Sequence, residues 1–597
     1  MFFKKPFFYF TAAASVLCGA LRGQSVPADR ITDWSRPGTH APFVPVRVSD
    51  MADFSADASG TLPCDSSLQA ALAALGGPGR VLFPAGTYLF NHTVVLPDSV
   101  ILEGAADPVT LKSTVLLRFN PGGTYRQGLS VQGTETDLGI VPGLPLLQGM
   151  RKIYLPQAAA HVRPGDDIRL DARDDSSLVY STWALHATGQ ILRVTAVEGD
   201  SLLLEKPLRR SYSSARPPHV FLRRPRRQVH IKCMNMERVD ATPEQTANIL
   251  FDNAVDCSLA GMESLRCNFA HVNIQNASYI TVENCHFKEA FAYGDGGQGY
   301  GVLLQYAASD CYVYANTFTH LRHSMLLQSG ANGNVSAYNY STDPYWSQTF
   351  LPANSAGDMV LHGNYPYMNL FEGNVVQNIV VDNSHGINGP LNTFFRNRAE
   401  LYGIFMNTSP ASPRQNFIGN QVSNTTSSLY GLYSLQGADH FAYGNTVKGS
   451  IMPAGTSEYA DATMFGYVFP SYYTAFSSVP PIRAANWQSA EPLTETAYRY
   501  GTGRLSVCSG TEYVNPYLSV TEPPTHVFSV YPNPSAGVLH IPGEGITDVE
   551  VWDMTGRRCR TVPFTECMDF SDLQPGSYVL RIRQNGQVLS GKWVVAR

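Results

Sequence analysis

Between residues 278 and 450 the apolar positions come in short runs, such as YITVEN (279–284), GVLLQY (301–306), SMLLQS (324–329) and NIVVDN (378–383). Gly, Asn and Ser separate them. Runs of this length suit β-strands, and none has the length or 3.6-residue period of a helix. A second pattern overlies the first. Asparagine followed by a short motif recurs as NCH, NTF, NYS, NVV, NRA, NQV and NTV at Asn284, Asn316, Asn339, Asn374, Asn397, Asn420 and Asn445. The steps are 32, 23, 35, 23, 23 and 25 residues. A near-fixed period with extra residues confined to two turns marks a solenoid. Each repeat is expected to be one coil of about three short strands, stacked at roughly 4.8 Å on the next.

Asn tolerates left-handed backbone and bonds to neighbouring peptide groups, so one Asn per coil predicts a ladder at a corner. Counting back from each Asn puts LLQ at 303–305 and 326–328 in the same column.

Upstream, Asp65 and Ser66 offer an N-cap to the short amphipathic helix SLQAALAAL, stopped by Gly76 and Gly77. Strands RVLFPAGTYLF, TVVL and SVILEG follow within 47–119. Residues 120–225 break the repeat with alternating apolar and polar segments, read as an inserted β module. At its end, RRPRRQ (223–228) is either a solvated edge, the commoner case, or a contact for an anionic glycan. Coils are expected over 226–450, a cap and linker over 451–525, and a separate β-sandwich over 526–597.

Charged residues make up only 15% of the 597, with a net charge of −5, which argues against general nucleic-acid binding. The N-terminus carries Lys4 and Lys5, then an apolar stretch and small residues. This reads as a secretory signal peptide over 1–23, with no membrane-spanning run after it. Export exposes the cysteines to an oxidising compartment. Cys233, Cys257, Cys285 and Cys311 are 24, 28 and 26 apart, near the repeat, and are expected to be buried stacked thiols.

The helix followed by GRVLFPAGTY at 79–88 resembles the opening of the pectate-lyase-like superfamily. That implies an all-β, right-handed, single-stranded parallel β-helix with a pectin lyase fold. The superfamily contains lyases, hydrolases, epimerases and phage tailspikes, so it fixes no activity. The pieces YPNP (531–534), VEVWDMTGR (549–557), Leu573–Tyr578 and GKWVV resemble the C-terminal sorting domain of the type IX secretion system of Bacteroidetes. The implied partner is that secretion machinery, and the implied location is the cell surface or the medium.

Candidate chemistry follows from stacking. Sixteen residues before the corner Asn stand Tyr300, His323, Asp358 and Val381, and twelve before it Leu304, Leu327, His362 and His385. This count places Asp358 beside His323 and His362 beside His385, and Asp358 shares a strand face with His362. Arg322, Asp382 and His320 complete a charged cluster; Arg322 joins only if a turn or bulge intervenes. The two expanded coils, 288–301 and 341–357, supply Tyr293, Asp295, Tyr300, Tyr345 and Trp346 as groove walls. Together these predict an extracellular polysaccharide as partner. A lyase acting on a uronate glycan leads, with a polygalacturonase-like hydrolase or a non-catalytic glycan binder as alternatives. Polygalacturonase motifs are matched only faintly, by SHG at 384–386, and the calcium-binding Asp cluster of pectate lyases is not evident. A calcium requirement stays open, and no metal ligand is assigned.

Overall fold

The computed structural model describes residues 26–40, 43–122, 126–140, 146–172, 174–294, 296–348, 356–407, 409–459, 463–465, 494–508, 535–541, 546–553, 558–565, 567–584 and 587–595. Residues 1–23, where a signal peptide is expected, and Asp295 lie outside them. The chain divides into two units, Met1–Tyr513 and Val514–Arg597.

The first unit is a parallel β-helix. The central coils contribute three strands each, and in the two that follow the second and third are continuous, as Val375–Asp382 and Arg398–Met406. Ser278–Glu283, His286–Lys288 and Tyr300–Gln305 make one coil, and Tyr312–Tyr314, Thr317–Thr319 and His323–Leu327 the next. Val335–Ala337, Tyr340–Thr342 and Met359–His362 follow. All pair parallel with their counterparts one coil away. Leu303 pairs with Leu326 and Leu304 with Leu327, in the register the LLQ repeat predicts. Inward-facing Val, Leu, Ile, Met and Phe fill one continuous core. Within it Phe371, Phe394 and Phe417 stack at 5.0 Å and 5°, each in the same place on its coil.

The asparagine ladder is present. The side-chain amide of Asn339 donates to the Val313 carbonyl at 3.0 Å, while its Oδ1 accepts from the backbone N–H of Asn316 at 2.9 Å. The same pattern links Asn374, Asn397, Asn420 and Asn445. Buried peptide groups at a corner, too sharply turned to pair in a sheet, are thereby satisfied. Asn284 is not a rung: Oδ1 of Asn316 accepts from Cys285, so the column begins one residue later. A second ladder, Asn334–Asn369–Asn392, runs up another corner in the same manner.

The N-terminal helix spans Asp65–Leu75 and stops at Gly76, whose φ is +56°. Its N-cap is Cys64, without a side-chain bond; Asp65 instead accepts from the backbone of Asn91 and His92. The inserted module is a six-stranded antiparallel sheet running from Thr134–Ile140 to His219–Arg224, with its own apolar core. The stack ends where Ser450–Met452 folds back antiparallel on Asn445–Val447.

Two segments run along the outside of the stack, against its direction. The N-terminal one meets Asp439 through Arg30, Met368 through Trp34 and Asp256 through His40. The C-terminal one bonds Tyr338 through Thr496 and Asn284 through Val507, and its Cys508 forms a disulfide with Cys233. Cys233 is therefore not a stacked thiol, whereas Cys257, Cys285 and Cys311 are free and buried.

The second unit is a small β-sandwich. Arg558–Pro563, Ile546–Asp553, Gly576–Gln584 and Gln587–Val595 form an antiparallel sheet, and Val538–His540 pairs with Cys567–Asp569. Leu539, Val551, Phe570, Leu580 and Trp593 are among its buried core. Six strands are present among the described residues.

Candidate functional site

The outer side of the third strand face carries a polar column at the strand ends. Gln275 pairs with Gln305, whose Oε1 accepts from Gln328 at 2.8 Å. His362 comes next, paired directly with Asp382, and Asn407 donates to Asp382 at 2.7 Å. Gln305, Gln328, His362 and Asp382 each follow an apolar pair, so stacking brings residues far apart in sequence into line.

Two adjoining cavities of about 610 and 540 Å³ lie over this column. Arg322, His362 and His385 line both. The first extends along Tyr300, Tyr306 and Trp183; the second covers His323, Asp382 and Trp346. The floor of the second is Val360, Val380 and Phe405. A polar strip flanked by aromatic and apolar surface suits an amphipathic ligand.

Three imidazoles from successive coils meet here. Ring centroids are 5.6 Å apart for His323 and His362, and 4.7 Å for His362 and His385. His362 Nδ1 lies 2.5 Å from Asp382 Oδ2. Burial works against the Asp382 carboxylate, but the bond and charge of His362 and the bonds from Ser384 hold its pKa well below the usual range. Asp382 is thus an anion that orients His362 through Nδ1, so that when the ring gives up a proton the lone pair is left on Nε2. His323 Nδ1 donates to the Gly357 carbonyl at 2.7 Å, and its Nε2 is buried without a partner among the described residues. Burial, then Arg322 and His362, push the His323 pKa well below 6.5, so the ring is neutral. Burial also lowers the pKa of His385, followed by the charge of His362.

Arg322 sits in the bend before His323–Leu327, where strand alternation does not apply. Its guanidinium bonds the Gly294 carbonyl and lies 5.5 Å from Trp346 and 5.9 Å from Tyr300, within cation–π range.

Asp358 is placed differently from the sequence expectation. Met325 pairs with Met359, a step of 34, whereas the corner residues Asn339 and Asn374 are 35 apart. A count back from the corner is therefore one residue out, and His323 meets Gly357 instead. Asp358 also precedes the strand, so it shares no alternation with His362. It is fully buried, and its carboxylate accepts from the backbone N–H groups of Gln377 and Asn378. Burial raises its pKa to about 7. It lines neither cavity. His385 likewise is not in the column of His362; it reaches that ring from the turn beyond Asp382.

The loop aromatics divide. Tyr300 and Trp346 line the groove, but Tyr293, Tyr345 and His320 pack against one another, with centroids 4.9–5.1 Å apart. His320 pairs with Asp343 at 2.7 Å. These side chains hold the two long loops together and line neither cavity. Sequence reasoning missed Trp183. It comes from the inserted module and stands edge-on to His385 at 5.7 Å and to Tyr306 at 6.3 Å. Ser181 of the same segment lies 3.4 Å from His385 Nδ1. Among the described residues no group of three His, Cys, Asp or Glu side chains is arranged to hold a metal ion.

Comparison with known proteins bears on the two units differently. Residues 529–596 match the secretion system C-terminal sorting domain. The chain thus carries a type IX sorting signal and is a secreted or cell-surface protein; no described helix is long and apolar enough to cross a membrane. No curated protein matches the chain. Among solved structures, the chain is similar to the tailspike protein of Pseudomonas phage LKA1, at 16% identity and a TM-score of 0.45, over 67% of this chain and 77% of that one. An exopolygalacturonase from Thermotoga maritima is similar at 11% and 0.33, over 70% and 95%. The A-module of a mannuronan C-5 epimerase from Azotobacter vinelandii is similar at 11% and 0.28, over 69% and 100%.

Proposed function

We propose that the β-helix unit is a polysaccharide lyase that cleaves a uronate-containing glycan outside the cell. The observation that carries this reading is the His362–Asp382 pair set between two cavities that also share Arg322. β-Elimination needs a cation to neutralise the uronate carboxylate, a base to take the proton beside it, and a proton for the departing oxygen. Arg322 suits the first role. His362 Nε2, oriented through Nδ1 by ionised Asp382, suits the second. The C5–H proton passes to His362, the C4–C5 double bond forms, and the C4–O bond breaks. The proton on His362 then goes to the leaving oxygen, so the ring returns to its starting state.

The hydrolase alternative requires two carboxyl groups facing the bond, about 5–5.5 or 6.5–9.5 Å apart. Among the described residues lining the two cavities, Asp382 is the one carboxylate, and His362, Ser384 and Asn407 already engage it. That supports elimination over hydrolysis.

The test is mass spectrometry of products from a panel of uronate glycans. Elimination gives an unsaturated fragment lighter by one water than its hydrolytic counterpart. Saturated fragments alone would assign a hydrolase, and retention of glycan without cleavage a binder.

A further inference from the structure

The basic run at 223–228 is not part of the groove. It lies at the neck of the inserted module, where Arg224 pairs with Thr134 as the chain leaves and enters. Gly133 shows how closely the segments meet: a Cβ there would stand 2.4 Å from the Asn253 carbonyl and 2.6 Å from that of Arg224. Beside this neck is a cleft of about 440 Å³, lined by Arg223, Arg224, Arg226 and Arg227 against Asp98 and Asp166.

The four arginines are not equivalent. Arg227 bonds buried Asp167 and is committed to it. Arg224 and Arg226 stand 3.2 and 3.4 Å from Asp166 and Asp98, with side chains 56% and 38% exposed. Exposed pairs of this kind are weak and exchange readily for another anion. Arg223 is 1% exposed. Its Nε donates to Asn253 Oδ1 and its Nη2 to the Asn276 carbonyl, both neutral acceptors, while Nη1 has no partner among the described residues. Among the described residues no carboxylate is in ion-pair contact with this buried guanidinium, Asp167 and Glu135 acting on it only from further off, and an arriving anion offsets the remaining cost. Burial pulls its pKa down to about 10, in keeping with that cost.

We propose that this cleft is an oxyanion site, taking a carboxylate or sulfate group between Arg223, Arg224 and Arg226, and that its ligand is a second stretch of acidic glycan. Planar guanidinium groups bind such oxyanions with paired, charge-assisted hydrogen bonds. The oxyanion chemistry stands on the cleft alone, while the glycan as its source rests on the reading of the groove.

The experiment uses the full chain carrying His362→Ala, so that a bound oligosaccharide is not consumed. An oligogalacturonate and, separately, sodium sulfate are titrated calorimetrically. The result expected is an oligosaccharide site that sulfate competes for and that weakens at least tenfold in Arg224→Ala/Arg226→Ala. Both side chains are exposed enough for the fold to tolerate their loss. If the groove also binds, two oligosaccharides per chain fall to one in the double variant. Sulfate binding alone, lost in that variant, supports the oxyanion site and assigns it to a free anion. Unchanged binding of both probes in the double variant, or binding of neither probe to the parent, overturns the proposal. The groove reading fails separately, by absence of cleavage in the wild type with binding at the neck retained.

Discussion

His362 and Asp382 stand in one column of adjacent coils, 20 residues apart in sequence and 2.5 Å apart at Nδ1 and Oδ2. The contact follows directly from the parallel register of Met359–His362 with Val375–Asp382. Stacking alone thus places a carboxylate against an imidazole, and burial on a strand face sets the protonation states of the groups around them.

Arg322 is expected to recognise the uronate carboxylate. Arg322→Ala should lower kcat/KM on a charged glycan by roughly 10- to 150-fold, the range a charge-assisted hydrogen bond supplies. On the methyl-esterified form of the same glycan the loss should be much smaller. Equal losses on both substrates would mean that Arg322 acts through loop packing on Trp346 rather than on the substrate.

Trp183 ties the inserted module to the groove. Its side chain is exposed and edge-on to Tyr306, so Trp183→Ala removes a wall without opening the core. KM for an oligosaccharide should rise by about tenfold, or about 1.4 kcal/mol, as expected for a lost ring contact, with the melting midpoint unchanged. An unaltered KM would remove the module from the site.

The corner ladders are a stability device. In Asn374→Ala the backbone N–H of Asn339 and the carbonyl of Ser336 lose their buried partners. Each orphaned group costs about 1–3 kcal/mol. Denaturant unfolding should therefore show a clear loss, and a change under about 0.5 kcal/mol would contradict the ladder's role.

The buried histidines should each cost stability on acidification. Burial pushes His271 down to about 3 and His230 and His286 to about 4, and also lowers His323 and His385. The unfolded chain binds these protons near 6.5 and the folded chain does not, so their contribution is full above about 6.5 and is lost as pH falls toward the folded values. Asp358 and Glu372, raised by burial to about 7, act in the opposite sense across pH 4–7, favouring the fold at the acid end. Asp171, Asp174, Asp252 and Glu283 are raised by burial too and act with them, so the histidine share is read as a difference between two proteins. Acidification from pH 7 to 4.5 should cost His271→Asn less stability than it costs the wild type; an equal cost would contradict the assignment.

The solenoid was legible because its period is written in residues that must repeat: one Asn per corner and apolar pairs per strand. The second ladder was equally written, as NVS, NLF and NTF at Asn334, Asn369 and Asn392, and was overlooked beside the first. The site was only partly legible. Counting from the corner failed at Asp358 because one extra residue lies in the turn between that strand and the corner. Counting from the apolar pairs, through LLQ, LLQ, VLH and VVD, reaches Gln305, Gln328, His362 and Asp382 correctly. Trp183 and the Cys233–Cys508 bond carry no such signal. Each depends on a segment outside the repeat folding back on the stack, which spacing does not encode.

The most direct test is the rate at which absorbance of an unsaturated uronate product appears when a uronate glycan that the wild type cleaves is given to the His362→Ala variant. Absorbance should rise steadily for the wild type and at a rate roughly 10²–10⁴ lower for the variant, with the same melting midpoint. Product formation by the variant at the wild-type rate, or new reducing ends from the wild type with no such absorbance, would contradict the lyase proposal.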